Sequence, residues 1–144
     1  MSLLLESSVY AFGFYTALNA LVMLALAILV VRARVTTKTN FGDGGGMPEM
    51  AGPLRAHGNN TEYVPMGLLL ILALVEQPGG SIWLIHAVGL PLTLGRILHG
   101  IGLSRSTGTT PFRLLGILLT WIAFIIGIVA VLWLIFVPQA APVQ

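Results

Sequence analysis

The chain contains no cysteine. That excludes disulfides, thiolate metal sites and a catalytic thiol of the protein's own, so any thiol chemistry would need a ligand that brings the sulfur. Charge is also scarce: Lys and Arg number seven and Asp and Glu five in 144 residues, 8% of the chain against 56% hydrophobic residues. With a mean hydropathy of +0.93, this balance falls outside soluble globular domains and reads as an integral membrane protein. The pI near 9.5 rests on scattered cations with no basic run able to track phosphates, which argues against a nucleic-acid partner. His57, His86 and His99 lack the close spacing and carboxylate partners of a metal site, so no metal is expected.

Long apolar runs are abundant. Residues 9–31, 78–95 and 114–137 contain no charge and are each about long enough to cross a hydrocarbon core. A fourth stretch, 53–77, has the length but carries Arg55, His57 and Glu62 in its first half. Backbone groups in lipid must be satisfied within a helix or a closed barrel, and these runs are too long and uniform for barrel strands. The expected fold class is an all-α membrane protein, a bundle of four transmembrane helices over about 8–34, 53–77, 81–103 and 111–137, forming a single integral membrane domain over 1–144. The first span lacks the basic leader of a signal peptide and is too long for one, so it is expected to be retained.

The basic residues sort by side. Arg32, Arg34, Lys38 and Arg55 flank the first connection and Arg96, Arg105 and Arg113 the third, whereas Glu6 and Glu76 fall on the opposite side. The positive-inside rule then puts both basic connections in the cytoplasm and both termini outside, with a bacterial inner membrane as the expected setting. The first connection, with Gly42, Gly44, Gly45 and Gly46, reads as a flexible loop; without a following Lys-Ser/Thr it is not a phosphate cradle. Pro48 or Pro53 is expected to open the second helix, and Pro111, behind Thr109 and Thr110 as caps, the fourth. Pro65 and Pro91 should bend the helices that contain them.

Arg55, Asn59 and Glu62 recur at helical spacing and share one face, with Tyr63 adjoining, and Arg96 and His99 do the same on the third helix. At a rise of about 1.5 Å per residue, Glu62 and Arg96 lie roughly 21 and 22 Å from the far ends of their helices, at matching depth. An unpaired charge there costs a few kcal/mol, so something must compensate it. With Arg32 or Arg34 and Arg113, polar groups from all four helices gather at the basic end. Guanidinium grips carboxylates in two-pronged fashion, so the expected ligand is a small anion with carboxylates and an amine for Glu62. The plainer alternative is a structural ion pair between Arg96 and Glu62. Likewise Arg32, Arg34, Lys38 and Arg105 can serve as orientation signals, His86 and Asn19 as interhelical hydrogen-bonding groups, and the tryptophans as interfacial anchors.

The motif Arg-Ala-x-x-Asn-x-x-Glu-Tyr-x-Pro at Arg55–Pro65 resembles the second-helix motif of the MAPEG family, the membrane-associated proteins in eicosanoid and glutathione metabolism that include microsomal glutathione transferases and cysteinyl-leukotriene synthase. The resemblance extends to the four spans and to Gly95-Arg96-Ile97-Leu98-His99. It implies a homotrimer with glutathione, as co-substrate, bound between subunits near the cytoplasmic face. By matching position, Arg55, Asn59, Glu62 and Tyr63 would hold the tripeptide, with His57 where a relative has a glutamine reaching a neighbour's ligand. Arg96 matches the third-helix arginine, and Arg32 or Arg34 would complete the site from another subunit. Arg113 best represents the catalytic arginine that stabilises the glutathione thiolate. His99 and Leu103 stand where the leukotriene enzyme has tyrosines, so leukotriene synthesis is not implied. The implied function is a glutathione-dependent transferase or peroxidase of a detoxifying kind, acting on a hydrophobic electrophile or lipid hydroperoxide that arrives from membrane lipid. The alternatives are a non-catalytic MAPEG-like protein that binds a lipid or partner, and a small four-helix transporter. The lack of an acidic residue in 9–31 argues against the transporter.

Overall fold

The computed structural model describes residues 7–106 and 108–137, so Glu6 of the charge pattern lies outside the described residues. Helix follows helix: α1 (Ser8–Thr37), α2 (Pro48–Glu76), α3 (Ile82–Arg105) and α4 (Pro111–Phe136). Among the described residues the fold is all-helical, and α1, α3 and α4 are long and apolar enough to cross a membrane. These correspond to the charge-free runs of the sequence. The remaining helix, α2, has 29 residues, but Glu49, Arg55 and Glu62 interrupt its apolar character.

Local chemistry sets the ends. Pro111 occupies the first turn of α4, where its missing N–H costs nothing, and the Thr110 hydroxyl accepts from the Arg113 N–H at 3.2 Å. Ser81 caps α3 by accepting from Leu84 N–H at 3.4 Å. Lys38 closes α1 in the left-handed conformation, φ 55°, its N–H donating to the Arg34 carbonyl. The second helix begins at Pro48 rather than near 53. Pro48 takes the favoured first position and Glu49 sits in the first turn, where the helix dipole welcomes a carboxylate, so Pro53 falls inside the helix at the loss of one backbone bond. Between α1 and α2, Gly42, Gly44, Gly45 and Gly46 all have φ between 68° and 82°, which explains why the loop is built from glycine.

The packing is centred on α3, which lies against all three other helices; α1 rests on α2 and α3, and α4 on α3 and α2. The α3–α4 contact is backbone against backbone. A Cβ on Gly95 would stand 2.8 Å from the Gly116 carbonyl oxygen, one on Gly102 2.6 Å from the Arg113 nitrogen, and one on Gly116 would collide with the His99 nitrogen. Only glycine permits this approach, and it brings His99 against the first turn of α4.

The interior has two apolar parts. A larger cluster of Ala11, Tyr15, Ile71, Leu74, Ile85, Val88, Leu92, Ala123 and Leu134 fills the end near the α2–α3 connection, and a smaller one of Leu26, Ala56 and Leu103 fills the other. Between them lie the buried polar side chains Asn19, Asn60, Thr93, Arg96 and Thr120. Apolar residues such as Leu24 and Ile28 of α1 and Ile125 and Val129 of α4 face outward, an arrangement that suits hydrocarbon and would be untenable in water.

Candidate functional site

The helical spacing read in the sequence places Arg55, Asn59 and Glu62 along one face of α2. Opposite them stand His99 and Leu103 of α3 and Arg113 of α4. Together with Leu54 and Gly58 these side chains line one open cleft of about 370 Å³. Small-molecule sites commonly measure roughly 300–1,000 Å³. An adjoining hollow of about 240 Å³ shares Arg55, Leu103 and Arg113 and runs on to Asp43 and Gly46 of the glycine loop.

Arg96 lies behind this cleft and is fully buried. Its guanidinium donates to Asn59 Oδ1 at 2.7 Å and Asn60 Oδ1 at 3.3 Å, and more weakly to Thr120 Oγ1 at 3.5 Å. Its central carbon sits 5.3 Å from the Tyr63 ring centroid, and that ring packs edge-on against Phe124. The cation is therefore held by neutral oxygens and an aromatic face. The plainer alternative, a structural ion pair between Arg96 and Glu62, does not account for these contacts: equal depth along two helices does not make two side chains rotate toward one another, and Glu62 lines the cleft. Because Asn59 Oδ1 is engaged by Arg96, its amide N–H₂ remains to face a ligand. Asn60 has its amide nitrogen buried with no partner among the described residues.

His99 is buried, and its Nδ1 lies 2.9 Å from the Arg113 carbonyl oxygen. A carbonyl can only accept, so Nδ1 carries the proton and donates it.

The remaining residues singled out in the sequence stand elsewhere in this chain. Arg32 is exposed. Arg34 donates to the carbonyls of Thr39 and Gly42, both at 3.3 Å, and so ties the glycine loop to α1. Neither reaches the cleft, because α1 packs on α2 and α3 and has no broad contact with α4. His57 is half-buried and does not line the cleft, and Tyr63 supports Arg96 from below rather than lining it. Asn60 and Thr120 were not foreseen; the only sequence hint was the paired amide Asn59-Asn60 and a threonine in an otherwise apolar helix. Away from the cleft, the interhelical roles of Asn19 and His86 hold. Asn19 Nδ2 donates to Thr93 Oγ1 at 2.8 Å, and Tyr15 Oη and His86 Nδ1 share a hydrogen bond of 2.9 Å. Among the described residues no group of three His, Asp or Glu is placed to hold a metal ion.

The sequence pattern of the MAPEG family matches residues 12–133, a stretch that draws on all four helices. The chain belongs to the MAPEG family. It is also similar to "Inner membrane protein YecN" of Escherichia coli strain K12, 34% identical over 119 residues that cover 83% of this chain and 88% of that protein. The protein of the same name from Escherichia coli O6:H1 is similar to the same extent. No solved structure gives a significant match. YecN's name places that relative in an inner membrane and assigns it no reaction. The MAPEG family includes glutathione transferases, so membership supports a membrane-embedded helical bundle and makes glutathione the ligand to weigh against the cleft.

Proposed function

We propose that this MAPEG protein binds glutathione in the Arg55–Arg113 cleft and transfers it to an apolar electrophile, or uses it to reduce a lipid hydroperoxide, near the cytoplasmic face of an inner membrane. The observation that carries this reading is the convergence of Arg55, Asn59, Glu62, His99 and Arg113 on one cavity. Its charges complement the tripeptide: two guanidiniums and one carboxylate face a ligand with two carboxylates and one ammonium. Arg55 grips a carboxylate, Glu62 receives the amino group, and the Asn59 amide donates to a peptide carbonyl while Arg96 locks its orientation.

A thiol of ordinary pKa about 8.5 is mostly protonated at neutral pH, and a guanidinium beside it favours the thiolate. Arg113 is the residue for that task. The thiolate sulfur forms a bond to the electrophilic carbon while the leaving group departs with its bonding pair. With a hydroperoxide, two glutathiones supply two electrons, giving the disulfide, the alcohol and water. In a homotrimer, His57 and either Arg32 or Arg34 would be available to the ligand of a neighbouring subunit; none of them lines the cleft of its own chain.

Conjugation of glutathione to an aryl halide by the purified protein tests the reading. Arg113→Ala is expected to lower the rate about 100-fold, the usual scale for losing one charge-stabilising donor. An unchanged rate and pH dependence would remove Arg113 from this role, and glutathione binding without any product in the wild type would favour a non-catalytic binding protein.

A further inference from the structure

We infer that His99 accepts the glutathione thiol proton through Nε2, with the Arg113 carbonyl holding the imidazole in the tautomer that makes this possible. The inference rests on the glutathione reading above and assigns a step that an arginine cannot perform, because guanidinium has no lone pair to receive a proton.

Geometry supplies the argument. The Gly95, Gly102 and Gly116 contact presses α3 onto α4 and delivers His99 Nδ1 to the Arg113 carbonyl at 2.9 Å. That bond fixes the proton on Nδ1, so the neutral ring carries its lone pair on Nε2. Among the described residues Nε2 has no hydrogen-bond partner, yet it is not sealed away as Asn19 Oδ1 and Asn60 Nδ2 are. His99 is otherwise buried, and the surface it retains lines the cleft beside Arg113. The base and the cation that would stabilise the product anion therefore border the same space. A base oriented by a second group on its far nitrogen is the arrangement that activates nucleophiles in many enzymes.

In the step, the glutathione S–H bond breaks, the proton moves to Nε2, and the electron pair stays on sulfur. The sulfur then bonds to the electrophilic carbon, the leaving group takes its bonding pair, and imidazolium gives its proton to that group or to water at the open cleft. The charged groups bordering the ring are Arg113 of α4, Arg55 and Glu62 of α2, and Arg96 one turn away on α3. The three cations favour the thiolate and discourage a lasting imidazolium, which suits a base that must be returned to the neutral state each turnover; Glu62 acts in the opposite sense.

His99→Asn separates the roles, since its amide can still donate to the Arg113 carbonyl but has nothing at the Nε2 position. The full chain in phospholipid nanodiscs is titrated with glutathione and with S-methylglutathione, which has no thiol proton, and the rate at which thiolate absorption appears after mixing and the conjugation rate are followed against pH. The variant is expected to bind S-methylglutathione within about threefold of wild type, a difference of under 1 kcal/mol. It is expected to form the thiolate band about 100-fold more slowly after mixing and to conjugate correspondingly more slowly, with added imidazole restoring part of both rates. Its rates should climb as pH rises, because hydroxide then takes the proton that the imidazole no longer accepts. Unchanged rates of thiolate formation and conjugation overturn the inference while leaving the glutathione reading standing. Parallel loss of S-methylglutathione affinity overturns it in favour of a structural role. Failure of the wild type to bind either peptide overturns the glutathione reading, and this inference with it.

Discussion

The two ends of the bundle are made by the same helices and solve the burial of polar groups in opposite ways. Around the α2–α3 connection, Tyr15 bonds His86 inside a large apolar cluster, and Asn19 bonds Thr93 just below it. These polar groups are turned toward one another across helices, and Asn19 and Thr93 are buried there. At the arginine end the apolar cluster shrinks to Leu26, Ala56 and Leu103, and an open cleft takes its place. There Arg96 is locked by Asn59, Asn60 and Thr120, whereas among the described residues no hydrogen bond or ion pair ties down the side chains of Arg55, Glu62 or Arg113. One end is built as structure. The other presents charges held in place by structure and left for something else to neutralise.

The largest expected effect comes from breaking the contact that shapes the open end. Gly116→Val forces a side chain into the His99 backbone and should destabilise the fold by about 3 kcal/mol, read as a lower melting temperature in detergent. If the melting temperature is unchanged, the α3–α4 backbone contact is not what sets the site. A smaller effect belongs to the closed end. Tyr15→Phe removes the hydroxyl from His86 and should lower stability by about 1 kcal/mol while leaving glutathione affinity alone. A loss of affinity in that variant would mean that the two ends are coupled and the contrast between them is false.

The sequence disclosed the apolar helices because lipid tolerates few charges, and it disclosed α2 only through Arg55, Asn59 and Glu62, whose spacing defines a face. The opening of α4 was equally legible, since Pro111 and Thr110 act locally. What escaped was rotation and register between helices. Depth along α2 and α3 could be counted from helical rise, but nothing in one chain's spacing states that Arg96 turns to Asn60 and Thr120 instead of Glu62. Arg32 and Arg34 carried the right charge, yet which helices α1 packs against decides whether they reach the cleft, and that depends on glycine and leucine contacts spread over the whole bundle. The close approach of His99 to Arg113 was hidden for the same reason: Gly95, Gly102 and Gly116 permit tight contact without naming its partner.

Calorimetric titration of glutathione into wild type, Arg55→Ala and Glu62→Ala tests the central claim most directly, because both side chains are exposed and neither supports the core. The account predicts binding by the wild type and affinity at least about 10-fold weaker in each variant, about 1.4 kcal/mol or more, with melting temperature and oligomeric state unchanged. Equal affinity in all three proteins, or no binding by the wild type, would contradict it.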